Sequence, residues 1–241
     1  MRGMVDLHCH WVPGIDDGAR SIDEGLEMLR ALHALGFDTV VATPHMRPGM
    51  FDNERHDLVA AFERTRADVA RAEAVPEVAL SSEHYFDDVV FARLMSGEGL
   101  PYPGDHAVLL EFYELGFPAM LEHRLLDLRR RGLLPVIAHP ERYQVVWRDP
   151  GALERLIDQG ATALLDAAAF AGKYGRRPRR AAEELLERGL YHAACSDAHR
   201  PSDVAQVAEG LRYIEKRYGP EELDFLFRTG PREMLAGRAP R

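Results

Sequence analysis

Hydrophobic residues along this chain occur in two patterns that follow one another from end to end. Short, nearly continuous runs predict buried strands, and longer stretches with apolar residues every three or four positions predict amphipathic helices. Strands are predicted over residues 4–10, 39–45, 78–83, 107–111, 134–139, 161–166 and 193–199. Helices are predicted over residues 21–36, 54–73, 87–95, 119–131, 151–159, 179–188, 202–218, 221–227 and 232–235.

The alternation of strands and helices predicts an α/β fold with parallel strands. This many units, with polar residues at one end of the strands, favours a barrel over an open sheet. Neither a low-complexity tract nor a break in composition interrupts the pattern. We therefore expect one domain over residues 1–241, a length that α/β barrels often reach as single domains.

Six of the seven predicted strands end in a histidine, glutamate or aspartate that is a candidate metal ligand, and the strand 161–166 ends in Asp166, for which a structural contact is favoured. Such a strand presents a polar side chain at the carboxyl end of a barrel, where active sites lie. One buried histidine can simply be a hydrogen-bonded core residue, but six strand ends of this kind favour a multi-metal site. The candidate ligands at these ends are His8, His10, His45, Glu83, Glu111, His139, Asp197 and His199.

Composition and charge narrow the classes of function. The chain has 46% hydrophobic residues and a formal net charge of −9, which argue for a proper core and against a general affinity for nucleic acid or anionic membranes. We see no signal peptide and no stretch long enough to insert into a membrane, so we expect a cytoplasmic protein. Cys9 and Cys195 lie in apolar runs, which favours reduced, buried thiols.

Ordered motifs extend the metal hypothesis to a family. They are DLHCH at 6–10, PGIDDG at 13–18, ATPH at 42–45, Glu83, LEF at 110–112, VIAHPER at 136–142 and SDAH at 196–199. In this order the chain resembles the PHP (polymerase and histidinol phosphatase) superfamily. Within it, the chain is most similar to the manganese-dependent protein-tyrosine phosphatases of bacterial capsule and exopolysaccharide loci.

The resemblance implies a distorted TIM-like (β/α)7 barrel of the PHP type, with three divalent metal ions at the carboxyl ends of the strands. It implies Mn²⁺, with iron or zinc as alternatives, since imidazoles and carboxylates accept all three. Carried over by position, the first ion has His8, His10, Glu83 and Asp197. Glu83 also bridges to the second ion, shared with Glu111 and His139, and the third ion has Asp17, His45 and His199.

The reaction implied is hydrolysis of phosphotyrosine by a metal-activated hydroxide. The resemblance places Arg142 at the phosphate, where a guanidinium can bind two oxygens. Arg47, two residues after His45, and Arg200, directly after His199, are weaker candidates for the same task. The implied partner is the phosphotyrosine tail of a bacterial tyrosine autokinase that controls polysaccharide synthesis, and assembly into a homo-oligomer stays open.

Other functions were weighed against this one. A cysteine-dependent phosphatase needs a Cys-x5-Arg loop, and neither Cys9 nor Cys195 has an arginine at that spacing. A small-molecule phosphomonoesterase similar to histidinol phosphatase stays the nearest alternative, because the same metals hydrolyse any phosphate that fits. A non-catalytic metal-binding regulator of polysaccharide export is a more distant one, and a nuclease is disfavoured by the acidic charge.

Overall fold

The computed structural model describes residues 2–240, in which helices and parallel strands alternate. The strands are β1 Met4–Cys9, β2 Phe37–Ala42, β3 His45–Met46, β4 Glu77–Leu80, β5 Glu83–Tyr85, β6 Ala107–Glu111, β7 Leu134–Ala138, β8 Thr162–Asp166 and β9 Ala193–Cys195. The helices are α1 Ile22–Leu35, α2 Arg55–Arg71, α3 Asp88–Ser96, α4 Leu121–Arg130, α5 Gln144–Arg148, α6 Gly151–Asp158, α7 Arg176–Glu187, α8 Pro201–Tyr218, α9 Pro220–Asp224 and α10 Gly230–Leu235.

Helix α1 shows how local sequence sets these boundaries. The Ser21 hydroxyl accepts a hydrogen bond from the Glu24 amide at 3.2 Å, and the Glu24 carboxylate accepts from the Arg20 amide at 2.7 Å. Ser21 is therefore the N-cap of the helix, and the Glu24 side chain bonds the amide before it instead of the Ser21 amide that a full capping box would use. The helix ends at Gly36, whose φ of 109° lies in the left-handed region that glycine adopts without strain.

The strands form two sheets, with the orders β1-β2-β4 and β3-β5-β6-β7-β8-β9. All paired strands of the two sheets are parallel, which confirms the predicted α/β class. Two predicted strands are each divided in two: residues 43–44 separate β2 from β3, and residues 81–82 separate β4 from β5. As a result, His45 and Glu83 begin new strands in the second sheet instead of ending strands of the first.

The register of these strands continues across the two breaks. Ala42 pairs with Leu80 in the first sheet, and His45 pairs with Glu83 three residues later in the second. The Ser81 amide donates to the Ala42 carbonyl at 2.8 Å between them. A proline at position 44 lacks the amide that an uninterrupted ladder would need, which favours the break at this point.

The first and last strands meet through a short contact rather than a ladder. Cys9 forms an isolated parallel bridge with Ala198, and the Asp197 amide donates to the His8 carbonyl at 2.9 Å. The predicted distorted (β/α)7 arrangement of parallel strands is therefore confirmed. The distortion lies in two broken strands, and within residues 2–240 the hydrogen bonding divides into two sheets.

Alternate strand residues pack into two different hydrophobic clusters. Leu109 and Val136 belong to a smaller cluster made mostly of strand residues, whereas Leu110 and Ile137 belong to a larger cluster that also contains Leu29 and other helix residues. This alternation is what strands between an inner core and an outer ring of helices require. It fixes the strands, so their carboxyl ends can hold polar side chains in place.

Three differences from the predicted elements concern helices. Helix α5 is absent from the predictions, because five residues give too little periodicity to detect. Helix α7 begins at Arg176, three residues before the expected start, since Pro178 is tolerated in the first turn of a helix. A π-helical turn over Phe225–Thr229 follows α9. Across residues 2–240, the helices are too short or too polar to cross a membrane.

Gly210 in α8 provides a test of how closely the helices pack on the strands. A Cβ atom at this position would overlap the carbonyl oxygen of Ala167, which follows β8. We predict that Gly210→Ala lowers the free energy of unfolding by about 1–3 kcal/mol, because overpacking outweighs the better helix propensity of alanine. Urea unfolding measures this, with the exposed Glu209→Ala as a control on the same helix. A Gly210→Ala protein as stable as the wild type would contradict the packing described.

Candidate metal centre

The carboxylate of Glu83 lies at the middle of four imidazoles. Its Oε1 atom is 2.9 Å from His139 Nε2 and 3.4 Å from His8 Nε2. Its Oε2 atom is 3.0 Å from His45 Nδ1 and 3.4 Å from His10 Nε2. Glu83 itself is buried. The break between β4 and β5 therefore delivers one carboxylate to histidines from β1, β3 and the end of β7.

A second carboxylate, Asp197, closes the other side of this cluster. Its Oδ1 atom is 3.1 Å from His8 Nε2, 3.6 Å from His10 Nε2 and 3.6 Å from His199 Nδ1. Its Oδ2 atom accepts a hydrogen bond from Arg142 Nη1 at 2.8 Å. One face of Asp197 is thus turned to imidazoles and the other to a guanidinium.

The turn that follows β1 adds a third carboxylate. Asp17 Oδ1 lies 3.5 Å from His45 Nε2 and 3.4 Å from His199 Nε2. The Asp17 side chain is 55% exposed, so this group lies at the mouth of the site. At this turn a Cβ atom on Gly18 would overlap the His10 carbonyl, so glycine allows the turn to pack directly on the strand end.

The structure brings all nine predicted ligands together. In residues 2–240, their donor atoms form four close groups: His10–Asp17–His45–His199, His8–His10–Asp197, His8–Glu83–His139 and His45–Glu83–Glu111. Glu83 belongs to two groups, as a bridging carboxylate would. The grouping differs from the partition implied by the family resemblance in three respects. Glu111 and His139 lie in separate groups with Glu83, His10 also joins the Asp17 group, and Glu83 is absent from the group of His8, His10 and Asp197.

Unpartnered polar atoms show that these residues suit metal ions. Buried polar atoms normally have hydrogen-bond partners, because leaving one without a partner costs free energy. In the described part of the chain, six predicted ligands each bury an atom that has none: His8 Nε2, His10 Nε2, His45 Nδ1, Glu111 Oε2, His139 Nδ1 and Asp197 Oδ1. A cluster of nitrogen and oxygen donors without partners is what divalent cations would satisfy.

Neighbouring side chains orient two of these imidazoles. His8 Nδ1 is 2.5 Å from the hydroxyl of Thr43, and His10 Nδ1 is 2.7 Å from Asp16 Oδ2. In both histidines the Nε2 atom is left facing the cluster. A second hydrogen bond of this kind fixes the ring and strengthens it as a metal ligand.

Electrostatics also favour cations at this position. Burial, with the nearby charge of Glu83 acting in the same direction, raises the pKa of Glu111 to about 7. Burial and the charge of Arg142 lower the pKa of His139 to about 4, so this imidazole is neutral, as a ligand must be. Against the effect of burial, the charge of Asp16 raises the pKa of His10 and the charge of Glu83 raises the pKa of His45. Several carboxylates confined in a buried space need positive charge, which divalent cations would supply in place of these protons.

Two of the candidate ligands adopt backbone conformations that are rare for residues other than glycine. His139 has a φ of 34° and Asp197 a φ of 41°, and each directly or closely follows a strand. Such conformations store strain and are found mainly at functional sites. Here they turn the chain at the strand end, so that the His139 side chain reaches Glu83 and the Asp197 side chain reaches His8.

The three predicted arginines lie in different surroundings. Arg142 pairs with Asp197 and packs over the Tyr174 ring at 4.6 Å, with 22% of its side chain exposed at the site. Arg47 lies 3.9 Å from Glu111 and 4.2 Å from the Tyr85 ring centre, at the edge of the cluster. Arg200 Nη1 donates to the carbonyls of Asp17 and Gly18, so it holds the turn after β1.

Sequence reasoning missed several residues that support the site. Asp16 accepts hydrogen bonds from His10 and from the His45 amide, although the DDG turn suggested only Asp17 as functional. Lys173 Nζ donates to the Asp197 carbonyl at 3.2 Å, and the Tyr174 hydroxyl lies 3.4 Å from Asp197 Oδ2. These two residues lie in a loop after β8 that carries no recognisable motif beyond its two glycines.

Two further polar residues have structural contacts. Asp166 Oδ1 accepts from the Ala168 amide at 2.8 Å and so caps the short turn after β8. His84, although it adjoins Glu83 in sequence, lies outside the cluster. It accepts a hydrogen bond from the Leu100 amide and faces the Leu109 carbonyl, because its side chain points to the opposite side of β5 from Glu83.

Comparisons with known proteins agree with this geometry. Residues 4–236 match the family described as "Capsular polysaccharide synthesis, CpsB/CapC". The tyrosine-protein phosphatase YwqE of Bacillus subtilis is 31% identical over 219 residues, which cover 90% of this chain and 86% of that protein. The tyrosine-protein phosphatase CpsB of Streptococcus pneumoniae is 27% identical over 238 residues, covering 96% of this chain and 98% of the relative.

Solved structures give the same relationship. A chain from crystal structures of YwqE and CpsB, described as unique metal-dependent tyrosine phosphatases, superposes with a TM-score of 0.90 at 29% identity. The match covers 99% of this chain and 96% of the other. A prolidase superposes with a TM-score of 0.61 at 11% identity, over 99% of this chain and 75% of that one, which shows a shared fold alone.

Replacing Asp16 tests whether its hydrogen bond to His10 orients that imidazole for metal binding. We predict that Asp16→Ala lowers the affinity for Mn²⁺ by about 10- to 100-fold, because His10 loses the partner that orients it. Competition with a chelating dye measures the affinity. The control is Asp23→Ala, which removes an exposed carboxylate from the first turn of α1. Equal affinities for the two variants would contradict the role of Asp16.

Proposed function

Since this chain belongs to the CpsB/CapC family of capsular polysaccharide synthesis, we propose that it is a metal-dependent protein-tyrosine phosphatase. The relatives named tyrosine-protein phosphatases match it over nearly their whole length, which supports the activity. One observation carries the proposal. Unpartnered, buried donor atoms of histidine and carboxylate side chains converge around Glu83 at the carboxyl ends of the strands.

The nine side chains predicted as ligands hold three divalent ions, with Mn²⁺ preferred over iron or zinc. The absence of thiolate from the donor set supports this choice, since imidazole and carboxylate suit these metals. Glu83 offers both carboxylate oxygens to different histidines, which supports a bridging role. When bound, closely spaced divalent ions activate water at neutral pH and neutralise phosphate charge.

Arg142 is the residue that binds the phosphate of the substrate. Its guanidinium uses Nη1 for Asp197 and has further N–H groups that can donate to phosphate oxygens. Stacking on Tyr174 and pairing with Asp197 hold it in one orientation before substrate binds, so little conformational entropy is lost on binding. A fixed cation at this position stabilises the charge that develops on the phosphate oxygens.

Arg47 and Arg200 support the same reaction from two sides. Arg47 lies over the Tyr85 ring beside Glu111, where it can contact a phosphate or the residue that carries it. Arg200 acts as a positioning residue, because its hydrogen bonds to the Asp17 and Gly18 carbonyls hold Asp17 against His45 and His199.

The substrate that we propose is the phosphotyrosine tail of a bacterial tyrosine autokinase that controls capsule or exopolysaccharide synthesis. Membership of a capsular polysaccharide synthesis family supports this choice. The half-buried Tyr85 and the exposed Tyr113 near Arg47 and Glu111 offer aromatic surface at the edge of the site, which suits an aromatic phosphate ester.

Replacing Arg142 tests its role directly. We predict that Arg142→Ala lowers kcat on a phosphotyrosine peptide by about 10²- to 10³-fold, as removal of a fixed donor to a developing charge does. Metal content at saturating Mn²⁺ should not change, because Arg142 is not itself a ligand and Asp197 keeps its contact with the Tyr174 hydroxyl. Arg130→Ala, an exposed site on α4, is the matched control. Unchanged turnover, or loss of bound metal, would count against the assigned role.

Metal removal tests the reaction as a whole. Chelation should abolish hydrolysis of a phosphotyrosine peptide, and Mn²⁺ should restore it. A reagent that alkylates thiols should leave the native enzyme active, because Cys9 and Cys195 are both buried and neither is a candidate metal ligand. Full activity in excess chelator, or inactivation by the thiol reagent, would exclude the proposed chemistry.

Histidinol phosphate is the comparison substrate that separates the proposed activity from its nearest rival. Steady-state assays with the manganese-loaded protein should give a higher kcat/KM for the phosphotyrosine peptide than for histidinol phosphate. The opposite order would make the protein a small-molecule phosphomonoesterase that uses the same metal ligands.

A further inference from the structure

A cavity of about 540 Å³ lies between α5 and α7, outside the metal centre. Its walls include Trp147, Arg148, Arg177 and Arg180. The volume lies within the range of sites that bind small ligands. Three arginines around an aromatic side chain form a positively charged cavity on a protein whose formal net charge is −9.

The arrangement follows from the periodicity of the two helices. On α5, Gln144, Trp147 and Arg148 are spaced i, i+3 and i+4, and on α7 Arg177 and Arg180 are spaced i and i+3. Residues at these spacings share one face of a helix. Both helices therefore turn a continuous stripe of cavity residues toward each other.

Acidic neighbours do not neutralise these arginines. Glu184 also lines the cavity, but it accepts from Arg188 at 2.9 Å. Asp149 and Glu183, the other carboxylates closest in sequence, pair with Arg155 and Arg179. Within residues 2–240, Arg148, Arg177 and Arg180 have no ion-pair partner, so their charge is available to an anion.

Helix stability does not explain the positive charge. Arginine occupies four of the five positions 176–180, in the first turns of α7, and no acidic residue lies in its first turn. Positive charge at a helix N-terminus is unfavourable, because the helix dipole is positive there. A sequence that departs from a local stability rule in this way points to a function for the charges.

The residues that line the cavity lie close along the chain to Arg142, which is proposed to bind phosphate at the metal centre. Gln144 follows Arg142 by two residues, so their Cα atoms are at most about 7 Å apart. Arg177 follows Tyr174, which stacks on Arg142, by three residues. Trp147 Nε1 donates to the Glu141 carbonyl at 2.5 Å, which ties the cavity wall to the loop that carries Arg142.

We propose that this cavity is a second subsite, which binds a neighbouring phosphotyrosine of the same polypeptide while another phosphotyrosine is hydrolysed at the metal centre. The inference rests on the proposed phosphatase function. Arginines bind phosphate through paired hydrogen bonds, and Trp147 gives the tyrosine ring an aromatic surface. A substrate that carries two phosphotyrosines thus binds better than one that carries a single phosphotyrosine.

Matched peptides test this proposal on the manganese-loaded, full-length protein. Each peptide carries one fixed phosphotyrosine and, one to six residues away, a second position occupied by phosphotyrosine, glutamate or tyrosine. At one or more of these spacings, we expect kcat/KM for initial phosphate release to be about tenfold higher for the doubly phosphorylated peptide than for the tyrosine peptide, through a lower KM.

Two charge-matched variants locate the effect. Arg177→Gln combined with Arg180→Gln should abolish the preference for the doubly phosphorylated peptide and leave the rates on the tyrosine peptide and on p-nitrophenyl phosphate unchanged. The control combines Arg64→Gln with Arg212→Gln, exposed arginines on α2 and α8, and should keep the preference. Cosedimentation of all three proteins with phosphatidylglycerol vesicles tests whether the arginines serve a membrane surface instead.

Three results would overturn the proposal. The first is an equal kcat/KM for the doubly phosphorylated and tyrosine peptides at every spacing, and the second is an increase in kcat/KM for the glutamate peptide as large as that for the doubly phosphorylated one. The third is a preference for the doubly phosphorylated peptide that survives in the Arg177/Arg180 variant. Vesicle binding that this variant alone loses, without any peptide preference, would assign the arginines to a membrane. In each case hydrolysis of the tyrosine peptide shows that the phosphatase function stands. No hydrolysis of any peptide would refute that function first.

Discussion

The structure depends on one buried carboxylate surrounded by imidazoles. Glu83 lies within 3.4 Å of His8, His10, His45 and His139, and it has little contact with water. A buried negative charge is costly unless it is paired, and several nitrogen atoms of the surrounding imidazoles make no hydrogen bond. Divalent cations would satisfy both the carboxylate and the nitrogens. Metal binding is therefore part of what stabilises this end of the fold, as well as part of the reaction.

Regular strand structure is interrupted next to the cluster of histidines and carboxylates. The breaks before His45 and Glu83 transfer these two strands to the second sheet in an unchanged register, so both residues face the same centre. Left-handed backbone at His139 and Asp197 turns two more ligands inward. The Asp16–Asp17–Gly18 turn, held by Arg200, covers the remaining side. These departures from regular structure all lie at the carboxyl ends of the strands, and the packed strands and helices beneath them can support the strain.

Sequence alone predicted the alternation of strands and helices and the set of residues that meet at the centre, because hydrophobic runs and ligand motifs are both local signals. It could not predict that Glu83 begins a strand, since a two-residue break leaves no trace in a hydrophobic run. The partition of Glu111 and His139 among the groups depends on side-chain geometry between distant strands. Lys173 and Tyr174 were missed for a related reason: their loop has no motif, and only the fold brings it beside Arg142 and Asp197.

The central claim is that the side chains around Glu83 bind metal ions. Crystals grown with Mn²⁺ and measured on both sides of the manganese absorption edge test it most directly, because anomalous peaks locate the ions independently of activity. We predict three peaks within coordination distance of the nine candidate ligands, two of them at Glu83. Peaks elsewhere, or none near Glu83 in crystals of a protein that hydrolyses phosphotyrosine, would contradict it.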